Sequence, residues 1–142
     1  MRFSNEEEIK EIVRRFEDAS ISREVWKHAE HLTVALHYST LYDIDTATIK
    51  MRNGILKLLT EGFGLDLAKE MPYHETLTVF WMLTVDGFRR SKNGGSLLDN
   101  ANELIERYDK DHPLSFYTRE YLFSDEARSK FVEGDIENVG GN

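Results

Sequence analysis

A chain of 142 residues with 40% hydrophobic and 11% aromatic residues has enough apolar volume for one folded domain, which argues against wholesale disorder. It contains no cysteine, which excludes a disulfide framework, a thiolate metal site and a cysteine nucleophile, and suits a reducing cytoplasm. With 26 acidic and 18 basic residues the net charge is −8, a balance that disfavours nucleic acid; the acidic start and short, interrupted apolar stretches point away from secretion and the membrane, so a cytoplasmic location is expected.

Helical periodicity dominates from the first residues onward. Ser4 and Glu7 have the spacing of a capping box, and Ile9, Ile12, Val13 and Phe16 follow at helical intervals. Asp18 to Ser22 reads as a turn, with Ser22 capping a second helix over 23–42 whose centre line is Val25, Ala29, Leu32 and Leu36. A third helix follows Asp43 or Asp45, carries Ile49, Arg52, Ile55, Leu56 and Leu59, and stops near Gly62 and Gly64. Pro72 is placed to open a fourth, with Leu77, Trp81, Thr84 and Phe88 on one stripe and Arg89, Arg90 and Lys92 at its end. Asn93-Gly94-Gly95 breaks that helix and Ser96 caps a fifth, on which Glu103 and Arg107 form an i,i+4 pair. Beyond His112-Pro113 come two short helical pieces, around 118–122 and 125–131. The expected fold is an all-α, single-domain bundle of about five main helices plus short C-terminal helices over 1–132, followed by a flexible tail over 133–142.

The residues that invite a functional reading are His28, His31 and His74. A spacing of three puts His28 and His31 on one side of a helix, roughly 60° apart in projection and at the border of the apolar face. His74 opens the next candidate helix but one, where the positive end of the helix dipole favours the neutral imidazole that binds metal. Two histidines from one helix and one from another, with an open position for water, make a candidate site for a divalent transition metal (Zn, Fe, Ni or Mn) and for a hydrolase-like enzyme using metal-activated water. Glu24 and Glu75 are then the candidate acid/base residues, Glu24 because it precedes His28 by four on the same helical face. Tyr73 completes that neighbourhood. Arg119 and Arg128 can clamp a carboxylate or phosphate, or tie the terminal segments to backbone carbonyls; Arg52 invites the same two readings. His37 and His112 read as surface residues.

The competing reading is a non-catalytic module that binds a small anionic or amide ligand or serves assembly. In it the histidines only hydrogen-bond to carbonyls or tyrosines, and a homo-oligomer remains open.

The blocks Trp26-x-His28-x-x-His31-Leu32, Tyr73-His74-Glu75-Thr76 and Phe116-Tyr117-Thr118-Arg119-Glu120 resemble those of a family of small uncharacterised bacterial helical proteins, over roughly 16–135. That resemblance implies a helical fold and draws attention to the same three histidines, but it brings no reaction. A narrower analogy is to DinB-like proteins, which hold a metal with three histidines from two helices. Their H-x-x-x-H pair comes last, whereas here an H-x-x-H pair comes first, so only the idea of an interhelical three-histidine site carries over.

Overall fold

The computed structural model describes residues 1–136. Among these residues the chain forms α1 (Glu6–Glu17), α2 (His28–Leu41), α3 (Ile44–Lys57), α4 (Glu75–Ser91), α5 (Leu97–Arg107), α6 (Arg119–Leu122) and α7 (Asp125–Ser129), with no strand. The all-α expectation holds, with five main helices in one bundle. None of these helices is long and apolar enough to cross a membrane.

Helix α1 starts one residue later than the Ser4–Glu7 box implies. Asn5 takes the cap, its side chain accepting from the Glu8 amide at 3.0 Å, while Glu8 Oε1 accepts from the Ser4 and Asn5 amides at 2.7 and 3.3 Å. One carboxylate thereby satisfies two backbone donors, which a box on Glu7 does not achieve.

The larger correction is at α2, which begins at His28 and not at Arg23. Between them the Ser22 carbonyl accepts from the amides of Val25 and Trp26, forming a turn. Trp26 stacks on Phe16 of α1 with ring centroids 4.9 Å apart, and Glu30 Oε1 reaches back to the Lys27 amide at 3.0 Å. The aromatic stack draws the chain onto α1 before a helix can start, and the buried Glu30 carboxylate, also paired with Arg2, fixes where it does start. Val25, expected on the core line, is 39% exposed as a result.

Helix α2 packs against α1, α3, α4 and α5. Its residues from Leu32 to Leu36 are all buried, so the expected single stripe gives way to burial on every side, as befits a central helix. Asp43 caps α3 by accepting from the Thr46 amide at 2.8 Å, and α3 ends through a wide turn at Leu58–Gly62. Ile49, expected on the apolar face, is instead 50% exposed. The cap of α4 is His74, two residues beyond Pro72. Ser96 caps α5 as expected, whereas Glu103 pairs with Lys92 across the interhelical loop and not with Arg107.

The C-terminal pieces build a second, smaller core. Tyr117, Leu122, Ala127 and Val132 are buried together against Leu77 and Phe80 of α4. Thr76 Oγ1 donates to the Lys130 carbonyl at 2.9 Å and accepts from the Val132 amide at 3.1 Å; the Tyr117 hydroxyl donates to the Val132 carbonyl at 2.5 Å. The segment expected to be a free tail is docked over 133–136: Asp135 accepts from the Thr118 amide and hydroxyl, and the Ile136 amide donates to the Phe116 carbonyl at 3.0 Å. The rest of that expected tail, 137–142, lies outside the described residues.

Candidate functional site

His74 is buried, and both of its ring nitrogens are engaged. Nε2 lies 2.6 Å from the Leu122 carbonyl, and Nδ1 accepts from the Leu77 amide at 3.2 Å. A carbonyl oxygen can only accept and an amide can only donate, so the ring is the neutral tautomer with its proton on Nε2. Leu122 is the last residue of α6, and its carbonyl is one of those a helix C-terminus leaves without a partner. The Leu77 amide is one of the unpaired donors at the start of α4. One neutral imidazole therefore joins the N-terminus of α4 to the C-terminus of α6. Burial pushes its pKa down, opposed by the Leu122 bond and reinforced by the nearby Arg128 charge.

His28 does the same work elsewhere. Its Nε2 donates to the carbonyl of Tyr108, the C-terminal cap of α5, at 2.9 Å, and its ring packs on Trp81 with centroids 4.9 Å apart. His31 leans instead on Trp26, at 5.9 Å. Its Nε2 is buried with no hydrogen-bond partner among the described residues, and burial, with a smaller contribution from His28, pushes the ring's pKa down to about 4.

The structure does not bring the three histidines together as a group. Among the described residues no group of three or more His, Asp or Glu side chains is placed to hold a metal ion. His28 and His74 each spend Nε2 on a helix-end carbonyl, and His28 and His31 face different tryptophans. The acid/base expectations change with it. Glu24 lies in the exposed turn before α2, off any helical face shared with His28. Glu75 is clamped by Arg52 through Nε at 2.9 Å and Nη2 at 2.5 Å, and it accepts from the Tyr73 hydroxyl at 2.5 Å. Although its burial opposes ionisation, the hydrogen bonds from Arg52 and Tyr73 hold its carboxyl below the ordinary range, which leaves a weaker base than a free glutamate. Burial, with the Glu75 bond, pushes Tyr73 up to about 12.

What the structure does bring together is Tyr73 and Arg128. They line a cleft of about 470 Å³ with Met71, Asp125 and Ser129, between the approach to α4 and the side of α7. The Arg128 guanidinium lies 5.6 Å from the centre of the Phe123 ring and has no carboxylate or carbonyl partner among the described residues, contrary to the backbone-tying role. Arg119 is exposed and lies outside the cleft. Asp125 and Arg128, three residues apart on α7, both line the cleft, which therefore carries one charge of each sign beside the apolar side chain of Met71, itself 53% exposed.

Two histidines read as surface residues are partly buried. His37 packs on Tyr38, and His112 lies among Tyr108, Phe116, Phe80 and Trp81, with centroids 4.8 to 6.0 Å away. Burial lowers the pKa of both, with an opposing carboxylate in each case. Sequence reasoning missed Met71, Asp125 and Ser129 as cleft residues. The available signal was the Asp125-x-x-Arg128 spacing, which places opposite charges on one side of a short helix. Comparison of the chain with models of known families, with curated proteins and with solved structures found no match.

Proposed function

We propose that this protein is a non-catalytic binding module for a small, partly apolar anion, taken up in the cleft between Tyr73 and Arg128. The observation that supports this reading is a partly buried guanidinium without an anionic partner, placed over an aromatic ring and facing a concave, partly apolar surface. An arginine in that situation offers charge-assisted, bidentate hydrogen bonds to a carboxylate or phosphate, and Met71 and Tyr73 offer the surface for an attached ring or chain. In this reading the histidines are scaffold. His74 ties α6, and through the small core α7, onto α4, and so fixes the position of Arg128.

The test is titration of ¹⁵N-labelled protein with benzoate and phenyl phosphate, with benzylamine as the charge-reversed control. Benzoate or phenyl phosphate is expected to shift the amides of Met71, Tyr73, Arg128 and Ser129, and benzylamine to leave them in place. Arg128→Ala should weaken binding about ten- to a hundredfold, the loss of one charge-assisted pair, and Asp125→Asn should tighten it. Absence of shifts around the cleft at millimolar probe, or binding indifferent to Arg128→Ala, overturns the proposal.

A further inference from the structure

The exposed side of α3 and α4 carries a second feature, independent of the cleft. Ile44, Asp45, Thr48, Ile49 and Arg52 of α3 and Val79 and Leu83 of α4 line a shallow groove of about 400 Å³. Two large aliphatic side chains in it face solvent, Ile49 at 50% and Leu83 at 51% exposure. Asp45, Thr48, Ile49 and Arg52 follow the i, i+3, i+4, i+7 spacing that keeps residues on one helical face. The acid thus stands one turn before the aliphatic centre and the base one turn after it.

That order is self-complementary. When two α3 helices cross antiparallel near Thr48 and Ile49, each Asp45 comes opposite the other copy's Arg52, about 10 Å along the axis from its own Arg52. Both groups are available for it. Asp45 has no ion pair or side-chain hydrogen bond among the described residues, and Arg52, with its side chain 33% exposed, gives Nε and Nη2 to Glu75 while Nη1 has no partner among them. Glu75 also holds the Arg52 guanidinium in place. A chain of net charge −8 repels copies of itself in general, so a patch with charges of both signs around an aliphatic centre is where two copies can meet.

We infer that this face is a two-fold dimer interface, with Ile49 and Leu83 at its centre and two symmetric Asp45–Arg52 pairs at its edges.

Because the chain has no cysteine, a single introduced one reports the two-fold directly. Under mild oxidation Thr48→Cys should form a disulfide-linked dimer in high yield, and Glu106→Cys on the exposed side of α5 should not. Sedimentation equilibrium of the unmodified chain should show a monomer–dimer equilibrium. Leu83→Glu and Ile49→Glu should each weaken it about a hundredfold or more with the helical circular dichroism unchanged, and Asp45→Lys about tenfold, with the same direction on raising salt. A single monomeric species at millimolar protein, equal cross-linking of the Thr48 and Glu106 cysteine variants, or a dimer unaffected by both glutamate substitutions overturns the inference.

Discussion

Acidification from pH 7.5 to pH 4.5 should cost this fold several kcal/mol, most of it through its buried histidines. Buried His31 has its pKa pushed down to about 4, against an ordinary value of 6.5, chiefly because a charged ring there is stripped of water. A group whose pKa is lower in the folded state is protonated first in the unfolded chain. The stability it represents is therefore complete above about pH 6.5 and is lost as pH falls through 6.5 toward 4. For His31 alone the full loss is about 3 kcal/mol. His37, His74 and His112 are shifted in the same direction by burial and add to it. Glu75, Asp18, Asp43 and Asp135, all held below the ordinary carboxylate range, take over only at lower pH and with the same sign. Urea unfolding at pH 7.5, 6.5, 5.5 and 4.5 should give a falling midpoint, and His31→Phe should flatten its upper part. A midpoint that does not move between pH 7.5 and 5 contradicts the buried, neutral state of these rings.

His74→Ala should destabilise the protein by about 2–4 kcal/mol, combining a lost helix cap with a buried carbonyl left without a donor. The loss should be local as well as global. The small core of Tyr117, Leu122, Ala127 and Val132 is tied to α4 by hydrogen bonds from His74 and Thr76 beside its packing on Leu77 and Phe80, so amides of α6 and α7 should lose hydrogen-exchange protection while those of α2 keep theirs. His74→Asn separates the two roles, since asparagine caps a helix but cannot reach across to Leu122; about half of the stability should return without the protection of α6. A uniform loss of protection, or destabilisation below about 0.5 kcal/mol, contradicts the linking role.

These effects explain which parts of the molecule were legible in the sequence. Helix periodicity located all five main helices through residues such as Ile9, Leu36, Trp81, Phe88 and Leu104, which are buried, although in α3 the buried residue is Met51 and not Ile49 of the expected face. The errors came where a tertiary contact outweighs local preference. Trp26 against Phe16 removes the first turn of the expected second helix, and the carbonyl of Leu122, 48 residues away in the chain, supports His74 as a cap where Pro72 is the stronger local signal. For the three histidines the sequence offers carbonyl bonding beside the metal reading, and the structure shows such bonds for His28 and His74. Spacing on a helix cannot decide between them, because a helix-end carbonyl from another element uses the same nitrogen that a metal would. The cleft was half legible. Tyr73 and Arg128 stand out as side chains, but that α7 folds back to place them together depends on the small core, whose residues are scattered from 117 to 132.

The central physical claim is that His28 and His74 each donate through Nε2 to a helix-end carbonyl, His74 as a neutral ring, so that neither offers that nitrogen to a metal. Long-range ¹H–¹⁵N spectra of the histidine side chains at pH 7.5, recorded before and after one equivalent of Zn²⁺, report tautomer and metal ligation for each ring at once. His74 should show the Nε2-protonated neutral pattern, His28 should keep its Nε2 proton, and neither should change when zinc is added. Loss of those protons with simultaneous shifts of His28, His31 and His74 at one zinc per chain would contradict the account and favour the metal reading.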